Sequence, residues 1–280
     1  MIPERKRGNA VLKHREDTAH VVIVTGGSSG IGQCTAKALA AEGYHVYDFS
    51  RHDAKTAGII HIQADVTDES TVQRAVAQVL KQEGRIDILV NCAGFGISGA
   101  VEFTELSEAK RQFDVNFFGM VNVTRAVLPS MRSAGRGRII NVSSVAAAAA
   151  IPFQTFYSAS KAAVNSYTCA LANEVRPYGV TVTAIQPGDI RTGFTGARMK
   201  LAQGDEAYGG RISLSVARME QDERNGMSPE TAAAYICRIA QKRRVKPLYA
   251  LGFSYKCVCV LCKILPCAVL NRLIGMIYAK

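Results

Sequence analysis

Short runs of apolar residues alternate along the chain with longer stretches in which apolar residues recur every three or four positions. The first run, over 21–24, is β-branched and precedes glycine-rich sequence, as in a strand buried on both faces of a parallel sheet. Similar runs predict further strands over 44–50, 58–63, 86–91, 138–143, 180–185 and 247–251. The stretches between them predict helices over 31–42, 70–84, 107–133, 156–178 and 229–242.

Strand and helix alternate throughout this pattern. Because parallel strands need right-handed helical crossovers, the alternation predicts an α/β fold: a single Rossmann-type doubly wound parallel sheet of about seven strands with helices on both faces. A ligand crevice is expected at the carboxyl ends of the strands. We divide the chain into a flexible basic leader over 1–19, one domain over 20–252 and an amphipathic C-terminal extension over 253–280.

The formal net charge of +11 comes from basic residues that concentrate toward the two ends of the chain. They do not line one predicted helix, so we do not expect nucleic-acid binding. The leader lacks the apolar core of a signal peptide, and no apolar run reaches the roughly 18 residues of a spanning helix. Eight cysteines without the pattern of a disulfide-rich domain suit a reducing compartment, so we expect a cytoplasmic protein.

A glycine-rich segment, Thr25-Gly26-Gly27-Ser28-Ser29-Gly30-Ile31-Gly32, joins the first predicted strand to the first predicted helix. Its glycines allow a sharp turn and close approach of a phosphate, and the N-terminus of the following helix favours an anion. The glycine spacing differs from the common GxGxxG pattern. Alone, the segment is therefore consistent with a site for a dinucleotide's pyrophosphate or with a turn that binds nothing.

This segment resembles the TGxxxGIG signature of the short-chain dehydrogenase/reductase family, and further motifs follow in the family's order over about residues 21–195. Asp65-Val66 resembles the pair that contacts adenine, and Asn91-Cys92-Ala93-Gly94 resembles the family's NNAG motif, with Cys for the second Asn. Pro187-Gly188, with Thr192, resembles the motif that holds the nicotinamide carboxamide. The resemblance implies that the following residues of these motifs bind the cofactor: Gly26, Ser28, Ser29, Gly30, Ile31, Gly32, Asp65, Val66, Asn91, Ala93, Gly94, Pro187, Gly188, Ile190 and Thr192.

Tyr157 and Lys161 stand four residues apart at the start of a predicted helix, so both side chains project from one face. Such a pair is a weak signal alone, but Ser144 and Asn116 occupy the positions that complete the family's catalytic tetrad. The resemblance implies that Tyr157 is the proton donor in ketone reduction, and that Lys161 favours its phenolate and holds the nicotinamide ribose. It also implies that Ser144 polarises the carbonyl and that Asn116 supports a water-linked proton path.

The end of the second predicted strand decides which nicotinamide cofactor is expected. The family's acidic position falls on Ser50, and Arg51 follows it. A neutral residue before an arginine resembles the family's NADP-selecting pattern, since a guanidinium pairs with the 2′-phosphate. Asp48 leaves the alternative open, because an earlier end of the strand would let its carboxylate bind the ribose of NAD. We expect NADP(H) to be preferred over NAD(H), with Arg51 in the cofactor site.

Two regions bear on the substrate. The insertion over 193–226 carries apolar residues among charged ones. This pattern indicates either a lid over a lipophilic substrate or an amphipathic helix packed on the domain. The C-terminal extension reads as two short amphipathic helices interrupted by Pro266, with Lys256, Lys263 and Arg272 beside the apolar positions. Three roles stay open for this extension: peripheral contact with a membrane, a cap on the substrate pocket, or pairing of subunits in a homo-oligomer.

The four cysteines of the extension lack the paired spacing and the histidines of a zinc site, so we expect no metal. The extension loosely resembles that of relatives of 17β-hydroxysteroid dehydrogenases, retinol dehydrogenases and acyl-dihydroxyacetone-phosphate reductases. This resemblance implies a lipophilic ketone or secondary alcohol as substrate. The alternatives are a 3-oxoacyl-thioester reductase that uses an acyl carrier, and a dinucleotide-binding regulator without turnover.

Overall fold

The computed structural model describes residues 20–279, and the predicted leader over 1–19 lies outside them. The strands are β1 (Val21–Thr25), β2 (His45–Ser50), β3 (Ile59–Gln63), β4 (Ile88–Asn91), β5 (Ile97–Ser98), β6 (Gly137–Val142), β7 (Val180–Gln186), β8 (Met199–Lys200) and β9 (Leu248–Ala250). The α-helices are α1 (Gly30–Ala41), α2 (Glu69–Glu83), α3 (Leu106–Phe113), α4 (Met120–Ser133), α5 (Thr155–Glu174), α6 (Phe194–Ala197), α7 (Arg211–Arg224), α8 (Pro229–Gln241), α9 (Phe253–Ile264) and α10 (Cys267–Tyr278).

Seven of these strands form one sheet in the order β3-β2-β1-β4-β6-β7-β9, and every neighbouring pair is parallel. β5 and β8 pair separately as a short parallel ribbon. The chain runs outward from β1 to β3 and then returns to place β4 on the other side of β1. A crevice opens where the strand order reverses in this way, at the carboxyl ends of β1 and β4. The predicted α/β doubly wound fold is confirmed.

Burial on both faces explains the continuous apolar run of β1. Val21 and Ile23 pack into one core layer, with residues of α2 and α4, while Val22 and Val24 pack into the opposite layer, with residues of α1 and α8. All four side chains are completely buried. Burying each contributes about 1.5–3 kcal/mol, which fixes this strand at the centre of the molecule.

The helix ends follow local chemistry. Asp68 caps α2 by accepting hydrogen bonds from the amides of Ser70 and Thr71, and Gly84, at a φ of +69°, ends it. Ser228 caps α8 in the same way, and Pro229 occupies its first turn, where no intrahelical amide partner is needed. These residues place the ends within one residue of the predicted ones.

Two predicted helices are wrong in detail. The helix expected over 107–133 is interrupted by a π-helical segment, Asp114–Gly119, which separates α3 from α4. The helix expected over 156–178 ends at Glu174 and continues as a 3₁₀ turn, Arg176–Tyr178, because Pro177 cannot extend the α-helical hydrogen bonds. A π-helical bulge leaves little trace in hydrophobic periodicity, so the sequence did not show the first interruption.

The regions outside the central fold agree with the sequence pattern. The predicted break at Pro266 is confirmed, since this residue lies between α9 and α10. The insertion over 193–226 contains α7, whose Ile212 and Met219 are buried, so this part is an amphipathic helix packed on the domain. Within residues 20–279, no helix has both the length and the apolar character needed to cross a membrane.

Candidate active site

A cleft of about 1470 Å³ lies across the carboxyl ends of the sheet strands. Most of the predicted cofactor and catalytic residues line it. They are Gly26, Ser28, Ser29, Gly30, Ile31, Gly32, Arg51, Asp65, Val66, Ala93, Gly94, Ser144, Tyr157, Lys161, Pro187, Gly188, Ile190 and Thr192. The fold therefore brings together, in one cavity, motifs that are up to 166 residues apart, from Gly26 to Thr192.

The glycine-rich turn occupies one wall of the cleft. Gly26 has a φ of +67°, and a side chain here would meet the backbone of Ala93 at 2.9 Å. A Cβ on Gly32 would meet the Gly26 carbonyl oxygen at 2.3 Å, so α1 packs closely against the turn only without one. Ser29 precedes α1 but makes no side-chain bond to its first amides. The amides of the first turn of α1 are thus left available to an anion in the cleft.

Tyr157 and Lys161 both belong to the first two turns of α5. The Lys161 ammonium lies 5.8 Å from the centre of the Tyr157 ring and donates a hydrogen bond to the Val142 carbonyl at 2.9 Å. Lys161 is 6% exposed, and this burial lowers the pKa of its ammonium to about 8. Burial raises the pKa of Tyr157 to about 12, while the neighbouring Ser144 hydroxyl acts in the opposite direction. The phenol is therefore held protonated at neutral pH.

Asn116 lies in the π-helical segment and does not line the cleft. Its side-chain oxygen accepts from the Phe95 amide at 2.9 Å, and its nitrogen donates to the Phe95 carbonyl and to the Ser160 hydroxyl. A Cβ on Gly94 would lie 3.0 Å from the Asn116 oxygen and 3.6 Å from the Lys161 nitrogen. Asn116 and Lys161 therefore flank the same glycine, although no direct bond joins them among the residues that the structure describes.

Asn91 also lies outside the cleft lining. Its amide nitrogen donates to Asn141 on β6 at 2.9 Å and to the Thr124 hydroxyl at 3.3 Å, and its side chain is buried in the sheet. The geometry thus gives Asn91 a bridging position between strand and helix. The next two residues, Cys92 and Ala93, donate their amides to the Thr25 hydroxyl, which fixes the β4 end against the glycine-rich turn.

Asp48 and Arg51, at the end of β2, have different surroundings. The Asp48 carboxylate is 3% exposed and accepts from the Gly27 amide at 2.7 Å, from the Ser50 hydroxyl at 2.6 Å and from the His61 ring at 3.1 Å. These contacts hold it beneath the turn. Arg51 is exposed at the cleft wall and, among residues 20–279, its guanidinium has no hydrogen-bond or ion-pair partner.

The far end of the cleft contains a buried ion pair that motif reasoning missed. Arg198, whose side chain is fully buried, pairs with Glu223 of α7, which also accepts from the Thr195 hydroxyl at 2.5 Å. The Arg198 guanidinium lies 5.6 Å from the centre of the Phe194 ring, which in turn packs 5.7 Å from the Tyr157 ring. A permanent charge is thus held one aromatic ring away from the candidate acid.

The two C-terminal helices close the same end. Their inner faces place Val258, Ile274 and Ile277 along the cleft. The Tyr255 hydroxyl donates to Asp189 Oδ2 at 2.6 Å and accepts from the Asp189 amide at 3.0 Å, and its ring lies directly over Gly188. Burial raises the pKa of Asp189, and the Tyr255 hydrogen bond opposes that rise. The extension is therefore a wall of the cavity and not a free tail.

Comparison with known proteins agrees with this geometry. The short chain dehydrogenase family model matches residues 20–202. The chain belongs to the short-chain dehydrogenase/reductase family. It is 43% identical over 243 residues to a 3-ketodihydrosphingosine reductase of Bacteroides thetaiotaomicron, covering 84% of this chain and 90% of that one. It is 30% identical over 256 residues to a probable short-chain type dehydrogenase/reductase of Helicobacter pylori, covering 88% and 93%.

A solved structure shares the architecture. The short-chain dehydrogenase from Streptomyces avermitilis superposes with a TM-score of 0.80 at 30% identity, covering 94% of this chain and 96% of that one. The protein is therefore a dehydrogenase/reductase enzyme with the family's Rossmann-type fold. Members of the family bind a nicotinamide dinucleotide, which when bound supplies or accepts the hydride of the reaction.

The cleft residues of this enzyme fit such a cofactor. Gly30 lines the cleft at a φ of +54°, and a Cβ here would be strained and would touch the Thr192 side chain at 3.6 Å. The absence of a side chain lets a pyrophosphate approach the first-turn amides of α1. Asp65, predicted to contact adenine, and Tyr157 line the same cleft, so one cavity holds the predicted contacts for both halves of a dinucleotide. The fit rests on backbone positions as much as on side chains.

Proposed function

We propose that this enzyme is an NADPH-dependent reductase that converts a long-chain ketone into a secondary alcohol. The observation that carries the proposal is the position of the C-terminal helices. They line the cleft beyond Tyr157 with Val258, Ile274 and Ile277, in a region where a polar substrate would need no such wall. Apolar side chains there favour a hydrocarbon chain, since its burial is the main source of affinity.

Two contacts support NADPH over NADH. A carboxylate able to repel the 2′-phosphate is absent from the cleft side of β2, because the hydrogen bonds from Gly27 and Ser50 and the contact with His61 keep Asp48 buried beneath the turn. Arg51 stands exposed at that wall, and within residues 20–279 its guanidinium has no hydrogen-bond or ion-pair partner. A charge-assisted pair between this group and the phosphate would favour NADPH.

The polar groups at the substrate end restrict the class of substrate that the cleft would bind. The Asp189 carboxylate lines the cleft together with the apolar residues of α9 and α10, whereas the charge of Glu223 is already paired with Arg198. A long-chain ketone that carries an ammonium group next to the carbonyl would use both features. 3-Ketodihydrosphingosine, named in the Bacteroides relative, is such a compound. We therefore place this class of amino ketone first among the substrates.

The roles of the catalytic residues follow from their positions. Tyr157, with its pKa raised to about 12, carries the proton that the ketone oxygen needs as negative charge develops there. The Ser144 hydroxyl, beside it in the cleft, orients and polarises the carbonyl. Lys161 stabilises the phenolate left behind, and its ammonium also suits a ribose hydroxyl of the cofactor. Asn116 holds the Phe95 backbone through two hydrogen bonds, and the neighbouring Gly94 lies beside Lys161.

A substrate series tests the proposal. NADPH and NADH consumption should be measured with 3-ketodihydrosphingosine, with a ketone of equal chain length that lacks the amino group, with a short soluble ketone and with a 3-oxoacyl thioester. We expect NADPH oxidation, and the highest kcat/KM for the long-chain amino ketone. Equal kcat/KM for short and long ketones would contradict the lipid substrate, and a preference for the thioester would identify an acyl-carrier reductase. Cofactor binding without turnover on any of them would identify a regulator.

A cytoplasmic location and a homo-oligomer remain part of this proposal. Among the helices of residues 20–279 none has the length and the apolar character to span a bilayer. Size-exclusion chromatography with light scattering measures the oligomer.

A further inference from the structure

The two C-terminal helices expose an unusual amount of apolar surface. We call the following side chains the outer face: Phe253, Val260, Leu261, Ile264, Val269, Leu273, Met276 and Ile277. Eight of the fourteen exposed large apolar side chains among residues 20–279 belong to it, and Phe253 and Ile264 are 82% and 72% exposed. Single exposed apolar residues are ordinary, but a concentration of this kind marks a contact surface.

Helical spacing puts these side chains on one side of each helix. On α9, Phe253, Val260, Leu261 and Ile264 recur at steps of seven, one and three, while Tyr255 and Val258 face the cleft. On α10, the exposed residues recur from Val269 to Ile277, and Tyr278 turns inward to donate to Asp222 at 3.3 Å. Both helices are therefore anchored by tyrosines and expose apolar residues to the outside. An ordinary amphipathic helix does the opposite, because its apolar side packs against the core.

The segment that carries the outer face has charges of one sign. Residues 231–280 contain no Asp or Glu and nine basic residues: Arg238, Lys242, Arg243, Arg244, Lys246, Lys256, Lys263, Arg272 and Lys280. A two-fold contact with a second copy would bring equal positive patches together, which is unfavourable. A surface that is both apolar inside and negatively charged at its boundary complements the outer face, and an anionic lipid bilayer has both properties.

The dimensions fit a helix pair that lies in the membrane surface. Each helix has 12 residues and is about 18 Å long, well short of the roughly 30 Å hydrocarbon core. The basic side chains of Lys256, Lys263 and Arg272 belong to these same helices, so they are placed to reach lipid headgroups. Amphipathic helices with this combination of groups bury their apolar side at the boundary between headgroups and acyl chains.

We infer that the outer face docks on the surface of an anionic lipid bilayer, with the mouth of the cleft turned toward that surface. Ile277 joins the two regions, because it is 55% exposed on the outer face and also lines the cleft. Docking there gives the hydrocarbon chain of a ketone substrate a route from the bilayer to Tyr157 along apolar side chains. This second step rests on the proposed lipid-ketone function, whereas docking itself depends only on the surface.

Vesicle co-sedimentation of the full chain, without substrate, tests docking. The probes are vesicles of phosphatidylcholine alone and of a phosphatidylcholine–phosphatidylglycerol mixture. The test variant is Phe253→Asp/Ile264→Asp, and the matched control is Leu106→Asp/Leu214→Asp, whose leucines are 63% and 62% exposed on α3 and α7. Neither pair lines the cleft, so both variants should retain wild-type turnover of a short soluble ketone.

We expect the wild type and the control to bind the mixed vesicles, and the test variant to lose at least about tenfold in partition coefficient. Lys256→Glu/Lys263→Glu should lower binding to the mixed vesicles and leave weak binding to phosphatidylcholine unchanged. Equal binding by the test variant and the wild type would overturn the inference. So would a wild-type dimer that the test variant splits without any vesicle binding, which would assign the outer face to a second copy.

Docking and substrate are separated by a kinetic comparison. If vesicles are bound but 3-ketodihydrosphingosine in vesicles is not reduced, docking stands and the proposed substrate fails. If this ketone is reduced in detergent at equal rates by the wild type and the test variant, and no vesicle is bound, the substrate stands and docking fails.

Discussion

The cofactor end and the substrate end of the cleft are built in different ways. At the cofactor end, backbone groups form the wall, and polar side chains such as Thr25 and Asp48 serve to hold those backbone groups in place. At the substrate end, the wall consists of side chains from α6, α7, α9, α10 and the segment after α6, including a buried ion pair and two tyrosines that bond to carboxylates. One end is fixed by main-chain geometry and the other by long-range side-chain contacts.

This difference indicates which end is free to vary. A glycine whose Cβ would overlap a backbone atom, such as Gly26 or Gly32, tolerates no substitution, so the turn it forms is specific for one kind of ligand group. Val258 or Ile274 can be exchanged for another apolar residue at small cost, because the main requirement is volume. Cofactor binding is thus expected to be a constant property of the fold, while the substrate depends on residues 193–279.

The largest expected effect concerns Tyr157, the proposed proton donor, between the two ends. Tyr157→Phe removes the hydroxyl and should lower kcat by about 10²- to 10⁴-fold, while NADPH affinity changes little. Steady-state kinetics and cofactor titration by fluorescence measure the two quantities. Tyr178→Phe, a half-exposed tyrosine distant from the cleft lining, is the control. A kcat within a few-fold of wild type would assign the proton to another group.

The buried ion pair should dominate the stability of the substrate end. Glu223→Gln leaves the fully buried Arg198 without its counter-charge, which should lower the free energy of unfolding by about 3–5 kcal/mol. Arg198→Met/Glu223→Gln should recover part of that loss. Glu108→Gln, which breaks an exposed pair with Arg111, should cost at most about 1 kcal/mol. Urea denaturation measures all three, and a Glu223→Gln variant as stable as Glu108→Gln would refute the role of burial.

Sequence and structure agree best where short motifs dictate the backbone. The sheet, the glycine-rich turn and the Tyr157–Lys161 pair on one helix follow from local pattern, because each depends on residues that are close in sequence. Arg198, Glu223 and Tyr255 were missed, since their roles arise only when α7 and α9 fold against the cleft. No local signal distinguishes Tyr255 from the other tyrosines, and the sequence pattern of 193–226 does not show which of its charged residues are buried as a pair.

The proposed preference for NADPH should depend on a single residue, Arg51. Arg51→Ala should weaken the binding of NADPH by about 1.5–3 kcal/mol, or roughly 10- to 150-fold, and leave the binding of NADH unaffected. The ratio of kcat/KM for the two cofactors is the measurement. Arg74→Ala, which removes a surface arginine on α2 outside the cleft, is the control. An unchanged ratio would mean that Arg51 does not contact the phosphate.

The pH dependence should report Lys161. Burial lowers the pKa of its ammonium to about 8, so the charge is present below pH 8 and is lost above it. Tyr157, with a pKa of about 12, stays protonated over this range. We therefore expect kcat/KM for ketone reduction to be flat at neutral pH and to fall about tenfold per pH unit above pH 8. An arginine keeps its charge over this range, so Lys161→Arg should abolish the fall in kcat/KM above pH 8 even if its overall activity is lower. A fall that persists in this variant would belong to another group.

The smallest expected effect concerns the contact that holds α9 over the turn at Pro187 and Gly188. Tyr255→Phe removes the hydroxyl that donates to Asp189 and accepts from its amide, at a cost of about 1 kcal/mol. Because the helix then sits less firmly over the substrate end, the KM for a long-chain ketone should rise about fivefold, while the Kd for NADPH should change less. Tyr249→Phe is the matched control, since its hydroxyl accepts from the Lys246 amide at 3.0 Å outside the cleft lining. If NADPH binding weakens more than ketone binding, Tyr255 acts on the cofactor end, and the division between the two ends of the cleft lies elsewhere.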